Sequence, residues 1–295
     1  MAKLIDGKKI SAALLEKVKA DVNELKSAGT EPCLAVILVG DDPASQVYVR
    51  NKKRTCEQVG IKSIEHLLPK DTSESELLSL IWSLNNDKSV HGILCQLPLP
   101  SHINEKTVLC AIDPDKDVDA FHPKNVGHIV IGDAELLPCT PAGVMEMLRY
   151  EGISVEGKNC VVVGRSNIVG KPMALMLLAA NGSVTVCHSR TPDLSYHTKQ
   201  ADILVCAVGK KDLITADMVK DGAVVIDVSI NRNEDGKLCG DVVFDEVSRK
   251  ASYITPVPGG VGPMTIALLM QNTLTAARLN VIHSENDAES GDKVD

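Results

Sequence analysis

The stretch VVVGRSNIVGKPMA, residues 161–174, decides the fold class of this sequence. An apolar strand ends at Gly164, a short loop follows, and Pro172 stands where a helix can begin. Glycines at positions 164 and 170 let the backbone approach a pyrophosphate, and the helix N-terminus supplies N–H groups and a positive dipole. The spacing is G-x-S-x-x-x-G and not the dinucleotide fingerprint G-x-G-x-x-G, so an ordinary strand-turn-helix is the alternative interpretation.

Strand and helix patterns alternate on both sides of this stretch, which predicts an α/β fold with parallel sheets. Apolar runs predict strands at 33–40, from residue 92, and at 159–164, 183–188, 201–209 and 223–230. Amphipathic spacing predicts an N-terminal helix, a helix after Asp42, and helices at 74–86, 141–151, 172–180 and 264–280. Residues 284–295 are acidic and polar, which predicts a disordered tail.

The composition argues against several classes of protein, among them nucleic-acid binders, disulfide-rich proteins and membrane-spanning proteins. Of the 295 residues, 44% are apolar and 24% are charged, which is enough apolar material to bury a substantial core. The net charge of −8 argues against nucleic-acid binding driven by phosphate neutralisation. The nine cysteines form no CxxC pair, so they indicate reduced thiols and neither a disulfide framework nor a zinc site. No apolar run is long enough to span a bilayer, and the cytoplasm is the expected location.

The segment after the next predicted strand indicates which dinucleotide would bind. A site for NAD usually has an acidic residue there, which holds the ribose 2′-hydroxyl. This chain has Ser189 and Arg190, with Arg165 in the glycine loop and Asp193 only beyond a proline. These residues favour binding of a 2′-phosphate and therefore of NADP. The alternative interpretation is that Arg190 is a plain surface residue.

The stretch SQVYVRNKKR, residues 45–54, has two interpretations. Tyr48 and Lys52 lie four residues apart and therefore share one face of a helix. The run is either a solvated charge cluster or a place where one lysine is held inside a site while its neighbours face water. Gln96 interrupts an apolar strand at its carboxyl end, so it either braces the local backbone or faces a cleft.

Two loops also have the composition of functional segments. IDPDKDVDA, residues 112–120, superficially resembles a calcium loop but lacks its glycine and its terminal glutamate, so we predict no metal site. Helix capping and turn formation explain Asp113 and Asp115, and another carboxylate could accept hydrogen bonds from an amino-heterocycle. PVPGGVGPM, residues 256–264, combines close backbone approach with restricted motion, which favours a site loop over a plain connection.

Taken together, these segments resemble the bifunctional methylenetetrahydrofolate dehydrogenase/methenyltetrahydrofolate cyclohydrolase family over residues 4–279. The motifs that carry the resemblance are Tyr48-x-x-x-Lys52, QLPLP (96–100), KDVD (116–119), GRSNIVGKP (164–172) and TPVPGGVGPMT (255–265). The resemblance implies two α/β domains flanking a cleft. One is a folate-binding catalytic domain (1–140 plus 264–283), and the other is a Rossmann-type NADP-binding domain (141–263) with a parallel sheet. It also implies a homodimer that acts on tetrahydrofolate derivatives, with or without a polyglutamate tail.

The resemblance further implies two reactions and a role for each site residue. The protein would oxidise 5,10-methylenetetrahydrofolate with NADP and hydrolyse the methenyl product to 10-formyltetrahydrofolate. Lys52 would be the general acid/base, for which its pKa must fall by roughly two to three units; Tyr48 would stack near the substrate and Gln96 would hydrogen-bond Lys52. The remaining residues implied to bind ligands are Asp119, Pro258 and Gly259 for the folate, and Gly164, Arg165, Ser166, Ser189, Arg190 and Ile230 for NADP.

Two positions depart from the pattern of the family. Ala120 follows KDVD where the family has Gly, and a positive φ there would cost Ala about 1 kcal/mol. Ser229 stands in DVSIN where Gly is common, and it would crowd the nicotinamide if it faced the cofactor.

Three other functions compete with this hypothesis: a dehydrogenase without cyclohydrolase activity, a non-catalytic dinucleotide-binding protein on the same fold, and a basic-patch RNA binder. Intact Tyr48, Lys52 and Gln96 speak against the first. The acidity of the chain and its 2% aromatic content speak against the third.

Overall fold

The computed structural model describes residues 1–291, apart from the side chains of Ala44 and of residues 283–291. In this part of the chain the strands are β1 (Lys3–Leu4), β2 (Cys33–Val39), β3 (Lys62–Leu68), β4 (Gly92–Cys95), β5 (Asn159–Val163), β6 (Ser183–Cys187), β7 (Ile203–Cys206), β8 (Val224–Asp227), β9 (Asn231–Arg232), β10 (Leu238–Cys239) and β11 (Tyr253–Ile254). The helices are α1 (Gly7–Ser27), α2 (Pro43–Val59), α3 (Glu74–Asn86), α4 (Glu105–Ala111), α5 (Pro123–Ile131), α6 (Cys139–Tyr150), α7 (Gly170–Ala179), α8 (Leu194–Thr198), α9 (Phe244–Val247) and α10 (Val261–Gly291), with a short 3-10 helix at Ala216–Met218.

The chain divides into two compact units, each built from two separate segments. The six-stranded unit contains residues 1–13 and 138–268, and the three-stranded unit contains residues 14–137 and the chain from Leu269 onward. Helices α1 and α10 therefore each contribute residues to both units. The predicted division at residues 140/141 lies near the observed one, but the first thirteen residues go with the six-stranded unit because β1 pairs with β11.

The six-stranded unit contains one parallel sheet with the strand order β1-β11-β8-β7-β5-β6. Its central strands are short runs of Val, Ile and Leu, because a parallel sheet covered on both faces has no water-exposed side. A cluster of buried apolar residues packs on one side of the sheet and includes Val161, Leu204 and Val225. This is the Rossmann-type parallel sheet that the sequence predicts.

The three-stranded unit contains a second parallel sheet, with the order β3-β2-β4. Every residue of the central strand β2 is buried. Strand β3 was not predicted, because KSIEHLL contains too many polar residues to form an apolar run. Helix α10 is tied to this unit by Asn272, whose Nδ2 donates to the carbonyls of Val118 and Leu137 at 2.8 Å each.

Most predicted elements lie within a few residues of their observed limits, and the C-terminal region differs. The last helix runs from Val261 to Gly291, whereas the sequence predicts disorder from residue 284. The helix continues past that point because extending an existing helix needs no new nucleation. Residues 292–295 of that predicted tail lie outside the described residues. Among the described helices, none combines the length and the apolar character that crossing a bilayer requires.

Candidate active site

Helix α2 carries the lysine that the sequence marks as a candidate. Its first turn is fixed by Asp42, whose side chain accepts a hydrogen bond from the N–H of Ser45, and it ends at Gly60 in the left-handed conformation. Lys52 is 8% exposed, whereas Lys53 and Arg54 are exposed. One cation of the basic run is therefore buried while its neighbours on the same turn face water.

Gln96 holds the buried lysine. The Nζ of Lys52 donates to Oε1 of Gln96 at 2.9 Å, and Nε2 of Gln96 donates to the carbonyl of Leu97 at 2.7 Å. The amide of Gln96 is therefore fixed in the orientation that turns its oxygen toward the lysine. Gln96 follows β4 directly, at the carboxyl end of a parallel sheet, where ligands bind in α/β folds.

Tyr48 lies one turn before Lys52 on α2 and is 37% exposed. Partial burial raises the pKa of the Tyr48 phenol above its usual value. A partly exposed aromatic ring one turn from a buried amine can stack on a planar heterocycle.

The loop with Asp119 is built onto the edge of β4. Asp117 bridges to Ile93 of that strand, and the N–H of Ile93 donates to the carbonyl of Lys116 at 2.7 Å. The buried carboxylate of Asp117 accepts from the N–H of His122 at 2.7 Å and from Nδ2 of Asn125 at 3.1 Å. Burial raises the pKa of Asp117 to about 6. These contacts fix the loop, and Asp119 remains half-buried within it.

Lys116 was not predicted as important, yet it closes the end of helix α3. Its buried Nζ donates to the carbonyls of Leu84, Asn85 and Asp87 at 3.1, 2.8 and 2.8 Å, and burial lowers its pKa. The last carbonyls of a helix have no partner within the helix, so a buried cation there satisfies them. The lysine of KDVD therefore joins α3 to the loop that contains Asp119.

Lys116→Met is expected to lower the free energy of unfolding by about 2 kcal/mol, because buried carbonyls lose their donor while the side-chain volume is kept. The midpoint and slope of urea unfolding measure this change. Lys88→Met is the matched control, since Lys88 is exposed and directly follows Asp87, and we expect it to alter stability by less than about 0.5 kcal/mol. Equal midpoints for the two variants would contradict the role given to Lys116.

Ala120 has a φ of +55° and is fully buried. The left-handed conformation anticipated for this position is therefore present, and Ala bears the strain of about 1 kcal/mol that Gly would avoid. The hydrogen bond from its N–H to the carbonyl of Asp117, at 3.0 Å, belongs to the turn that keeps it there.

The glycine loop of the six-stranded unit lies between β5 and α7. Gly164 has a φ of +129°, and a Cβ atom there would collide with the carbonyl of Ala207. A Cβ atom at Gly170 would collide with the carbonyl of Gly164. Ser166 ties the loop to the helix, since its Oγ accepts from the N–H groups of Val169 and Gly170 at 3.2 and 3.3 Å. Both glycines are therefore required by close backbone packing.

The turn after β6 lies beside this loop, because the N–H of Gly164 donates to the carbonyl of Cys187 at 2.9 Å. Arg165, Ser189 and Arg190 are all exposed at these two neighbouring strand ends. Asp193 is occupied in capping α8, where it accepts from the N–H of Tyr196 at 3.1 Å. These strand ends therefore present two cations and a hydroxyl group, and the carboxylate of Asp193 is engaged in capping α8.

The PVPGG loop packs backbone to backbone against the start of α1. A Cβ atom at Gly7 would collide with the carbonyl of Gly260. Gly259 has a φ of +105°, and Pro258 is exposed. The loop is therefore anchored at Gly260, while the two residues implied to bind substrate lie toward its accessible side.

Both units match the models of one protein family. Residues 5–119 match the catalytic domain of tetrahydrofolate dehydrogenase/cyclohydrolase, and residues 138–281 match the NAD(P)-binding domain of the same enzymes. The chain belongs to the tetrahydrofolate dehydrogenase/cyclohydrolase family.

Individual members of the tetrahydrofolate dehydrogenase/cyclohydrolase family are similar over nearly the whole chain. The bifunctional protein FolD of Agathobacter rectalis is 62% identical over 278 residues, which are 94% of this chain and all of the relative. The crystal structure of the bifunctional enzyme FolD from Campylobacter jejuni has a TM-score of 0.93 at 55% identity and covers 95% of this chain and 99% of its own. A Trypanosoma brucei FolD, solved with NADP cofactor and inhibitor, has a TM-score of 0.91 at 38% identity. It covers 95% of this chain and 98% of its own.

The residues of the six-stranded unit fit the NADP cofactor of this family. Gly164 and Gly170 allow a tight, closely packed turn between β5 and α7, and the first turn of α7 begins beside it. The exposed Arg165 and Ser189 supply a charge and a hydroxyl group for a phosphate. Sequence reasoning missed one large feature of this edge, a buried carboxylate network around Asp241, because a lone Asp in a polar loop gives no signal of burial.

Proposed function

We infer that this protein is a bifunctional folate enzyme that oxidises 5,10-methylenetetrahydrofolate with NADP and hydrolyses 5,10-methenyltetrahydrofolate to 10-formyltetrahydrofolate. Membership of the family over both units, at about 60% identity to bifunctional relatives, carries this conclusion. The three-stranded unit contains Lys52, Tyr48, Gln96 and Asp119, and the six-stranded unit contains the residues that we assign to NADP.

Lys52 is the group that we assign to the hydrolytic reaction. Water adds to the one-carbon bridge of the methenyl cation and loses a proton; the bond from this carbon to N5 then breaks as N5 gains a proton, while the remaining hydroxyl proton leaves to solvent and the formyl C=O forms. An amine can accept the first proton and supply the second. The buried position of Lys52 and its hydrogen bond to Gln96 support this role, because burial separates the amine from bulk water and the amide fixes where the Nζ points.

The remaining residues of the three-stranded unit orient the folate. Tyr48 offers the face of its ring, and the half-buried Asp119 can accept hydrogen bonds from the amino groups of a pterin. We also assign Pro258 and Gly259 to the folate, because the resemblance to the family implies this role.

NADP, when bound, accepts a hydride from the one-carbon unit of the substrate. No protein base is needed for that step, because the lone pair of a substrate nitrogen drives it, so the residues of the chain act by binding and orientation. We assign the 2′-phosphate to Arg165 and Ser189, with Arg190 beside them, and the pyrophosphate to the loop of Gly164 and Ser166. Ile230, exposed after β8, supplies an apolar contact.

We further propose that the enzyme acts as a cytoplasmic homodimer, without nucleic-acid or membrane partners. The resemblance to the family supports the dimer, and the net charge of −8 supports the absence of nucleic acid. The exposed Arg50, Lys53 and Arg54 of α2 provide positive charge for the polyglutamate tail of a folate.

Two assays without mutation test the function. Methenyltetrahydrofolate is supplied without nucleotide, and we expect the enzyme to hydrolyse it well above the spontaneous rate. Methylenetetrahydrofolate is supplied with NADP or NAD, and we expect NADPH formation to be favoured. If methenyltetrahydrofolate is hydrolysed only at the spontaneous rate, the protein is a monofunctional dehydrogenase. If neither reaction is accelerated, it is a non-catalytic dinucleotide-binding protein.

A further inference from the structure

A buried carboxylate organises the carboxyl end of the large sheet. Asp241 is fully buried, and its Oδ2 accepts from the N–H groups of Val208 and Gly209 at 2.7 and 3.2 Å. Its Oδ1 accepts from the N–H of Lys210 at 2.7 Å and from Nδ2 of Asn231 at 3.0 Å. A buried anion needs such donors, since unpaired it would be strongly destabilising. The loop 208–210, which follows β7, is therefore wrapped around this carboxylate.

A second carboxylate extends the network to the neighbouring strands. Asp227, the last residue of β8, accepts from the N–H of Val242 at 2.9 Å, and the N–H of Asp227 donates to Oγ1 of Thr255 after β11 at 2.7 Å. Gly240 is required here, because a Cβ atom would collide with the Asp227 carboxylate. Burial raises the pKa of Asp227 to about 7. The ends of β7, β8 and β11, which are adjacent in the sheet, are thus joined by one set of buried polar contacts.

Ser229 links the two carboxylates. Its Oγ donates to Oδ2 of Asp241 at 2.7 Å and accepts from the N–H of Gly209 at 3.0 Å. Its own N–H donates to Oδ1 of Asp227 at 3.2 Å. The side chain is therefore buried in the network, and the concern that its bulk would face the cofactor does not apply to this conformation.

We propose that Ser229 is a positioning residue for the dinucleotide: its hydroxyl group, held by Asp241, fixes the loop 208–210 and the adjacent Ile230 at the edge of the sheet where the cofactor binds. The proposal rests on the proposed function, because it takes the carboxyl edge of the six-stranded sheet as the NADP site. Val208 and Ile230 are 45% and 44% exposed, so the buried network below them determines where two accessible apolar side chains lie. The family commonly has Gly at position 229, which cannot make the hydroxyl contacts.

The test compares Ser229→Ala and Ser229→Gly with the wild-type enzyme. We expect the Kd for NADPH, measured from the fluorescence of the bound nucleotide, to rise about three- to tenfold in both variants, as the loss of ordinary hydrogen bonds would give. The KM for NADP should rise in parallel, while the cyclohydrolase rate without nucleotide stays unchanged, because Lys52, Tyr48 and Gln96 lie in the other unit. Ser229→Thr, which keeps the hydroxyl group, should bind NADPH more tightly than Ser229→Ala.

Ser248→Ala is the matched control. Ser248 is buried to the same degree in the same unit, and its Oγ donates to the carbonyl of Asp245 at 3.1 Å, away from the network. We expect this variant to bind NADPH as the wild type does. A Kd for Ser229→Ala within twofold of the wild type, or tighter binding by Ser229→Gly, would overturn the proposal. Absence of NADPH binding by the wild-type enzyme would instead refute the proposed function.

Discussion

Lys52→Ala is expected to lower the cyclohydrolase rate by at least about 100-fold, because general acid/base catalysis contributes that much or more. The variant should still bind NADPH with the wild-type Kd, since Lys52 and the proposed NADP-binding residues belong to different compact units. The measurement is the hydrolysis of methenyltetrahydrofolate without nucleotide, corrected for the spontaneous reaction. Lys52→Met should give the same loss while keeping the packing of the aliphatic stem.

The chain supplies a matched control for this prediction at the next position. Lys53 carries the same charge and lies on the same helix, but it is exposed. Its Nζ lies 3.3 Å from the carboxylate of Glu65. Lys53→Ala should leave the cyclohydrolase rate on a monoglutamate substrate within about twofold, because an exposed ion pair contributes little and this substrate lacks the polyglutamate tail. Normal turnover by Lys52→Ala, or an equal loss in both variants, would refute the assignment of Lys52.

Arg165→Ala is expected to raise the KM for NADP about 10- to 100-fold and to change the KM for NAD much less. A charged hydrogen bond to a phosphate contributes about 1.5–3 kcal/mol, and NAD lacks the 2′-phosphate that would receive it. Initial rates of the dehydrogenase with each nucleotide measure the difference. Because Arg165 is exposed at the end of β5, its removal should leave the unfolding transition unchanged.

Arg149→Ala is the control for a general loss of positive charge. Arg149 is an exposed arginine of the same unit and forms an ion pair with Glu146 within one turn of α6. We expect this variant to show the wild-type KM for both nucleotides. Equal increases for NADP and NAD in Arg165→Ala would mean that the arginine does not recognise the 2′-phosphate.

The sequence predicted those elements whose signal is local. Strand β5 and helix α3 were located within one residue, because a run of buried aliphatic residues and a capped amphipathic segment each have a short-range pattern. Strand β3 was missed because its burial depends on the neighbouring strand β2 and not on its own composition. Long motifs such as GRSNIVGKP indicated the family, since their order along the chain is highly specific.

Adjacent residues of the same type differ only through tertiary contacts. Lys52 and Lys53 are neighbours on one helix, and composition alone cannot tell which of them is buried. The distinction comes from Gln96, which lies 44 residues away in sequence and reaches Lys52 because β4 ends beside α2. Lys116 likewise has a structural role because the end of α3, about 30 residues earlier in the chain, brings its carbonyls to the ammonium group.

By itself, the sequence determined the α/β class, the glycine loop and the family, because each of these is encoded in motifs of residues that are close together along the chain. Only the tertiary structure determined which lysine is desolvated, why Gly is required at positions 7 and 240, and how Ser229 and Asp241 connect three strand ends. The physical reason is that burial and hydrogen bonding of a polar group depend on residues that the fold brings beside it from distant parts of the chain.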